Sequence, residues 1–334
     1  MKKTGKVLLV ILGIIFLIGA AGIVYYNSKL NLLDFDHEET EIDPTAVEAE
    51  PIEDYDLSGE EIRDEVGELP EGEAVSSDDV INILLLGTDE RTKDFSENAR
   101  ADSMMLVSLN IKTGSVKLVS FERGLGVKIA GRNDDWLTHT FRYGGAQLTM
   151  DTISTNFLVD IDGYVRTNFN FFAQIIDSIG GVDIELTQAE CDGLNGLVYT
   201  NAQTKHWVNP GVNHLDGYDA LQYCRLRYTD NDWHRIERQR NTVQAVINQT
   251  KTLSLADLNN LADTCLPMVR TSLTKEQITQ LLLASPKFMG ASAQQMTIPA
   301  EGTHWGRTGV DGRSLIDCDF QKNAEILKEF LYEE

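Results

Sequence analysis

The chain is poor in proline, cysteine and base. Seven prolines in 334 residues exclude a collagen-like or proline-rich chain. Four cysteines (Cys191, Cys224, Cys265 and Cys318) are too few for a disulfide-built scaffold. No CxxC or Cys/His spacing marks a metal site. There is no GxSxG, and no Cys is flanked by an obvious His partner, so the common signatures of covalent nucleophilic catalysis are missing. No internal repeat is present. Lys and Arg number 29 against 52 Asp and Glu, a net charge of −23. Spread evenly, that charge would exclude nucleic acid and every other polyanion as a partner.

The charge is not spread evenly. Residues 1–33 contain Lys2, Lys3, Lys6 and Lys29 and no acid, so they carry +4. Residues 34–79 contain 20 acids and one base, Arg63, and carry −19. Residues 80–334 carry only −8. The acidity is concentrated in one stretch, and the exclusion of anionic ligands does not extend to the rest.

Residues 7–26 read VLLVILGIIFLIGAAGIVYY, 20 residues without a charge. At about 1.5 Å per residue this spans roughly 30 Å, the thickness of a bilayer's hydrocarbon. The lysines before it place that end in the cytoplasm, and Tyr25 and Tyr26 suit the outer interface. A cleaved signal peptide is the rival, with Gly19-Ala20-Ala21 as a weak cleavage site. The run is longer than a usual signal core, which favours an uncleaved anchor. The expected organisation is a cytoplasmic end (1–6), a transmembrane anchor (7–26), an acidic extracellular linker (27–79) and a catalytic domain (80–334). The linker, with Pro44, Pro51 and Pro70 and few large apolar residues, is expected to be extended and solvated. An even number of cysteines outside the cell permits two disulfides in three connectivities, or four buried thiols.

Within 80–334, strands are expected at 80–86, 103–110 and 115–120, the last two as a hairpin through Lys112-Thr113-Gly114. Further strands are expected at 163–167, 182–186, 220–226 and 295–299. Helices are expected at 147–158, 169–179, 234–250, 255–268, 275–284 and 320–331, with Gly180-Gly181 ending the second. Alternating strands and helices indicate a layered α/β domain, and the hairpin makes its sheet mixed.

Two clusters carry chemistry. GTDERTKDFSENARADSMML, 87–106, places Asp89, Arg91, Arg100 and Asp102 on a loop between two apolar strands. Strand-end loops combine a rigid support with accessible side chains. Two carboxylates there could hold Mg²⁺, which takes a few oxygen ligands plus phosphate oxygens. A solvated loop with local Asp turns is the bland alternative. RLRYTDNDWHRIERQR, 225–240, has five Arg in sixteen residues. Arg225 and Arg227, two apart on an expected strand, point to one face. Arg235 and Gln239 are neighbours on the following helix, and Asp232 is placed to cap it. Arg forks match phosphate oxygens, so the combination reads as a pyrophosphate site, against surface salt bridging as the alternative. Arg123, where the hairpin ends, adds a cation. His139 is either structural or substrate-contacting.

The ordered series GTDER, ARADSMML, SFERG, FRYGG, IGGVDI, GVNHLDGYDALQYCRLR and DNDWHRIERQR, behind one membrane anchor, resembles the LytR–CpsA–Psr family of Gram-positive cell-wall enzymes. The similarity is strong over 80–250 and weaker to the C-terminus. Members transfer anionic glycopolymers, of teichoic acid or capsule type, from a polyprenyl pyrophosphate carrier to peptidoglycan. The resemblance implies a three-layer α/β/α sandwich with an apolar tunnel for the lipid, Mg²⁺, and no nucleic acid partner. By motif, Asp89 and Asp102 would serve the metal and the acid/base chemistry, with Arg100 and Arg123 beside them. Arg100, Arg123, Arg225, Arg227 and Arg235 would bind the pyrophosphate, braced by Asp232 and Gln239. The family usually has Pro-Arg-Asp where this chain has Glu122-Arg123-Gly124. The other readings are a non-catalytic envelope scaffold or a polyprenyl-pyrophosphate hydrolase.

Overall fold

The computed structural model describes residues 29–36, 57, 60–90, 99–227, 232–250, 253–288, 293–309 and 312–333. The expected anchor at 7–26 lies outside them, and among the described residues no helix is long and apolar enough to cross a membrane.

One mixed sheet organises the fold. Its central strands are β2 (Val80–Thr88), β3 (Ala101–Asn110) and β4 (Val116–Phe121), joined antiparallel. All three are apolar on alternate and on successive positions, as strands covered on both faces must be. Ile81 and Ile83 of β2 face one core with Met105, Val107, Val116 and Leu118. Leu84 and Leu86 face a second core with Met104, Leu106, Val119 and Phe121. The sheet is extended by β1 (Asp34–Phe35), β7 (Gly163–Asn168), β10 (Arg270–Thr271) and β11 (Ala293–Ile298), in the order β1-β10-β7-β2-β3-β4-β11. Short pairs stand outside it: β5 (Gly126–Val127) with β6 (Asp135–Trp136), β8 (Val182–Leu186) with β9 (Gly211–Leu215), and β12 (His304–Thr308) with β13 (Ser314–Cys318).

The second core is covered by α1 (Leu137–Phe157) and α8 (Phe320–Tyr332). The first is covered by α2 (Phe169–Ser178), α3 (Gln188–Leu194), α4 (Gly217–Arg225), α5 (Asp232–Thr250), α6 (Leu255–Cys265) and α7 (Lys275–Phe288). This is the expected α/β/α arrangement around a mixed sheet. α1 begins ten residues before the expected helix at 147 and is broken inside, where Gly145 has φ 62° and ψ −158°, a conformation open essentially to glycine alone. Gly180 and Gly181, with φ 84° and 88°, turn the chain from α2 into β8 as expected.

Two expectations are corrected. Residues 220–226 are not a strand: Ala220–Arg225 belong to α4, and Leu226 is the residue at which it stops. The Asp216 carboxylate accepts the Asp219 backbone N–H and caps the helix, and the short apolar run was compatible with either period. Arg225 and Arg227 therefore do not share a strand face. Arg225 ends α4 and Arg227 lies in the segment after it. Second, the described parts of 27–79 do not stand apart from the domain. Gly67 is buried and donates its N–H to Asp317 at 3.2 Å, and Glu65 accepts Trp305 Nε1 at 2.9 Å. Residues 29–36 reach the sheet itself through β1. Of the two cysteine readings left open, the structure has the second: all four are buried free thiols.

Candidate active site

The site lies where β2 and β4 end and β3 begins. Asp89 follows β2, and its Oδ1 accepts the Arg100 N–H at 2.9 Å while its own N–H reaches the Arg100 carbonyl at 3.2 Å. This two-way clasp closes the loop whose tip, 91–98 with Arg91, lies outside the described residues. Asp102 is the second residue of β3. Met104 pairs with Phe121 across the β3–β4 ladder, so the same register carries Asp102 toward Arg123 just beyond β4. Their side chains approach to 3.6 Å between Asp102 Oδ1 and Arg123 Nη1.

Thr138, buried at the start of α1, ties these ends together. Its N–H donates to the Arg123 carbonyl at 3.1 Å and its hydroxyl to the Ala101 carbonyl at 2.8 Å. Glu122 is fully buried, and its Oε1 accepts the Gly124 N–H at 3.2 Å. The Glu122 carbonyl also accepts the Leu125 N–H, so the turn that presents Arg123 is closed through both backbone and side chain. The acid preceding Arg123 thus has a definite role in shaping that turn.

Electrostatics separate the two carboxylates. Burial pushes the Asp102 carboxyl up, but the charges of Arg123, Arg235, Arg227 and Arg100 more than offset it, and Asp102 is held below the usual carboxylate range. Burial pushes Asp89 up; the Arg100 N–H opposes this, the Asp102 charge adds to it, and Asp89 stays above the usual range. Two neighbouring acids pushed in opposite directions are the common arrangement of an acid/base site.

Six expected residues are therefore one constellation: Asp89, Arg100, Asp102, Arg123, Arg227 and Arg235. Arg235 is buried on α5, and Gln239 is half-buried one turn later. Arg225 sits with its guanidinium 5.0 Å from the Phe169 ring, at the rim of α2. Arg227 is fixed through its backbone, whose N–H donates to Asn201 Oδ1 at 2.9 Å. The Asp232 side chain and residues 228–231 lie outside the described residues.

Other site residues were not singled out by sequence. Arg238 is buried, donates through Nη2 to the Leu226 carbonyl at 2.8 Å, and lies 3.7 Å from Glu190. It thereby holds the residue between Arg225 and Arg227. Arg240 donates to Thr297 Oγ1 at 2.6 Å. Arg166, buried on β7, pairs with Glu90 and lies 4.5 Å from the Phe141 ring, behind Asp89. An arginine inside the apolar strand GYVRTN was the available signal for it. His139 is structural. It is buried with Nδ1 3.0 Å from Asp135 Oδ1, and Asp135 also takes Arg313 at 2.6 Å and the Tyr143 hydroxyl at 2.6 Å.

Asp89 and Asp102 offer oxygen donors suited to a small divalent cation completed by phosphate oxygens, and the interaction of their charges gives such an ion something to neutralise. Elsewhere, His206, Asp216 and Asp219 lie close enough to ligate a metal. Their atoms are already engaged: Asp216 caps α4, and Asp219 accepts the Lys205 and His206 N–H groups and His206 Nδ1.

Comparison with known proteins identifies the fold and the family. The polyisoprenyl-teichoic acid–peptidoglycan teichoic acid transferase TagU of Bacillus cereus is 32% identical over 320 residues, covering 93% of this chain and 92% of that protein. Among solved structures, TagT bound to LIIa-WTA superposes with a TM-score of 0.61 at 25% identity, covering 76% of this chain and 91% of that one. The LytR-CPS2A-psr family protein YwtF (TagT) with bound octaprenyl pyrophosphate lipid shares the fold, with a TM-score of 0.57 at 23% identity over 76% of this chain and 91% of that one. The LytR_cpsA_psr family model matches residues 36–330, and the chain belongs to that family.

Proposed function

We propose that this protein transfers an anionic glycopolymer, of teichoic acid or capsule type, from a polyprenyl pyrophosphate carrier to peptidoglycan. The observation that carries the reading is Asp102 ringed by Arg123, Arg235, Arg227 and Arg100 beside a second carboxylate of opposite tendency. The likeness to TagU over nearly the whole chain supports the polymer class.

In this reading the chemistry is a phosphotransfer. A peptidoglycan hydroxyl attacks the sugar-linked phosphorus of the donor. An oxygen–phosphorus bond forms there, and the bond to the bridging pyrophosphate oxygen breaks. The leaving group is polyprenyl phosphate. Arg100, Arg123, Arg227 and Arg235 hold the pyrophosphate and balance charge that grows on the leaving oxygen, and Arg225 guards the lipid side with Gln239 in the supporting shell. Arginine does not lose its proton, so that field persists across physiological pH. Asp89, whose carboxyl favours protonation, takes the hydroxyl proton. Asp89 and Asp102 would hold Mg²⁺, which when bound supplies further positive charge to the phosphate oxygens.

The lipid tail needs apolar surface that is not closed over. Leu85, Val165, Phe172, Ile175, Val243 and Val246 are half-buried against the first core, between the sheet and helices α2 and α5. Phe169, on whose ring Arg225 rests, begins the helix that carries Phe172 and Ile175. This supports a tail path running inward from the arginines. In the same proposal residues 7–26 anchor the chain with its N-terminus in the cytoplasm and the domain outside the cell.

The test uses a synthetic lipid-linked donor with peptidoglycan and Mg²⁺. Asp102→Ala and Arg227→Ala are expected to abolish transfer, and Arg227→Ala to do so while melting as the parent does. Full activity in both overturns the site. Binding without release of polyprenyl phosphate would indicate a scaffold, and release with water as acceptor a hydrolase.

A further inference from the structure

The acidic composition of 27–79 suggests a spacer that keeps the domain off the membrane. The packing of its first residues says the opposite. Leu30 is fully buried within the first core. Lys29 pairs with Asp263 of α6. β1 then joins the main sheet, with Asp34 opposite Arg270 and Phe35 opposite Thr271. The Asp36 N–H donates to the Thr271 carbonyl at 2.9 Å, its carboxylate takes the Tyr164 hydroxyl, and Arg270 Nε donates to Asp34 at 2.8 Å. The domain therefore starts at residue 29. The apolar run ends at Tyr26. Three residue steps reach at most about 10 Å.

We propose that the β1/β10 edge of the sheet rests on the outer face of the bilayer, and that the half-buried apolar layer opens toward it. Connectivity carries the first part: a domain whose first packed residue is within about 10 Å of a membrane exit has little freedom to leave the surface. Leu32, at the turn before β1, is exposed there. The apolar residues on either side of it carry the second part. Leu33 and Phe35 pack on the same core cluster as Phe172, Ile175, Val243 and Val246, so the membrane-side edge and that layer cover one core. A prenyl tail would pass from bilayer to protein without crossing water. The opening to lipid rests on the proposed function as a whole; the docking rests only on the membrane anchor within it.

The test uses the full chain in vesicles of phosphatidylcholine and phosphatidylglycerol containing a nitroxide-headgroup lipid. Leu32→Cys carries an environment-sensitive maleimide dye, and the four native thiols are buried and do not compete. Glu301→Cys is the control, exposed beyond β11 at the other edge of the seven-stranded sheet, roughly 29 Å away at 4.8 Å per strand spacing. Loss of fluorescence at 32 but not at 301 is expected. Equal quenching at both sites, or none at 32, overturns the docking.

A second arm inserts about 20 Gly/Ser residues, with a root-mean-square span of roughly 25 Å, either after residue 28 or after Pro44. The first insert is expected to slow transfer from a vesicle-embedded donor and to leave transfer from a soluble short-prenyl donor unchanged. The second is expected to change neither. Equal losses with both inserts overturn the opening to lipid. If the parent chain transfers from neither donor, the functional reading fails, and the quenching result still decides the docking.

Discussion

Arg238 is the residue on which the geometry of the arginine cluster turns. It is buried with its guanidinium 2.8 Å from the Leu226 carbonyl, and Leu226 separates Arg225 from Arg227. Glu190, which completes the capping box of α3 with Thr187, faces it at 3.7 Å. Arg238→Met keeps the aliphatic stem and removes the donor. A buried hydrogen bond from a charged group contributes about 1.5–3 kcal/mol, and leaving the Leu226 carbonyl without its donor falls in the same range. We expect a loss of about 3 kcal/mol, read as a melting temperature lower by roughly 6–10 °C for a domain of this size. Freed of its clamp, the 225–227 segment shifts, and a displacement of about 1 Å costs on the order of 10²-fold in kcat/KM. Arg238→Lys keeps the charge opposite Glu190 but not the fork, so it falls between. The contrast is Arg227→Ala. That side chain is half-exposed and its backbone stays bound to Asn201, so activity is lost while melting changes by about 1 °C or less. Thermal denaturation and initial rates on one donor compare the three variants. If Arg238→Met melts and turns over like the parent, the clamp is not what orients the cluster.

Asp89 accepts a proton only when ionised, and its carboxyl lies above the usual range, so kcat/KM should fall as pH drops through that raised value; Asp89→Asn should remove this acid limb along with most activity, and a parental profile in the variant refutes its role. Glu122→Gln keeps an acceptor for the Gly124 N–H and should melt near the parent, whereas Glu122→Ala should lose about 1–3 kcal/mol by calorimetry; equal melting of both would show that the acceptor does not hold the turn. Asp135 is held below the usual carboxylate range despite burial, through His139, Tyr143 and Arg313. In acid the unfolded chain thus binds more protons there than the folded one, so the stabilisation is complete above the unfolded value and is lost as pH falls through the folded value. Asp135→Asn should flatten that part of the stability curve, measured by urea midpoints, and an unchanged slope refutes the assignment.

The sheet was legible because β2, β3 and β4 are apolar on both faces and the hairpin turn is short and polar. α4 was not, because ALQYC satisfies a strand or a helix equally and only the Asp216 cap decides. The acidic residues 27–79 misled for a related reason. Composition averages over a segment, whereas Leu30, Phe35 and Gly67 are single anchor points that fix it to the domain. At the site, the density of arginine was visible in sequence, and so was the Asp89–Asp102 pair. Which arginines face Asp102 was not, since that depends on the β3–β4 register and on how α5 approaches from the other side of the chain. Arg238 and Thr138 escaped notice because they act on backbone carbonyls, which no side-chain motif announces.

The net charge of −23 is in the end a statement about place. A field of exposed acids is screened within about 8 Å at physiological ionic strength. Arg235 and Arg123 are buried or nearly so, and their field at Asp102 is screened far less. The same physics explains why one acid inside the cluster is useful. Four guanidinium groups converging without a carboxylate would repel one another and splay apart. Asp102 lets them converge, yet its single charge leaves a surplus of cation for a ligand with more negative charge than one carboxylate can offer. A pyrophosphate diester meets that requirement.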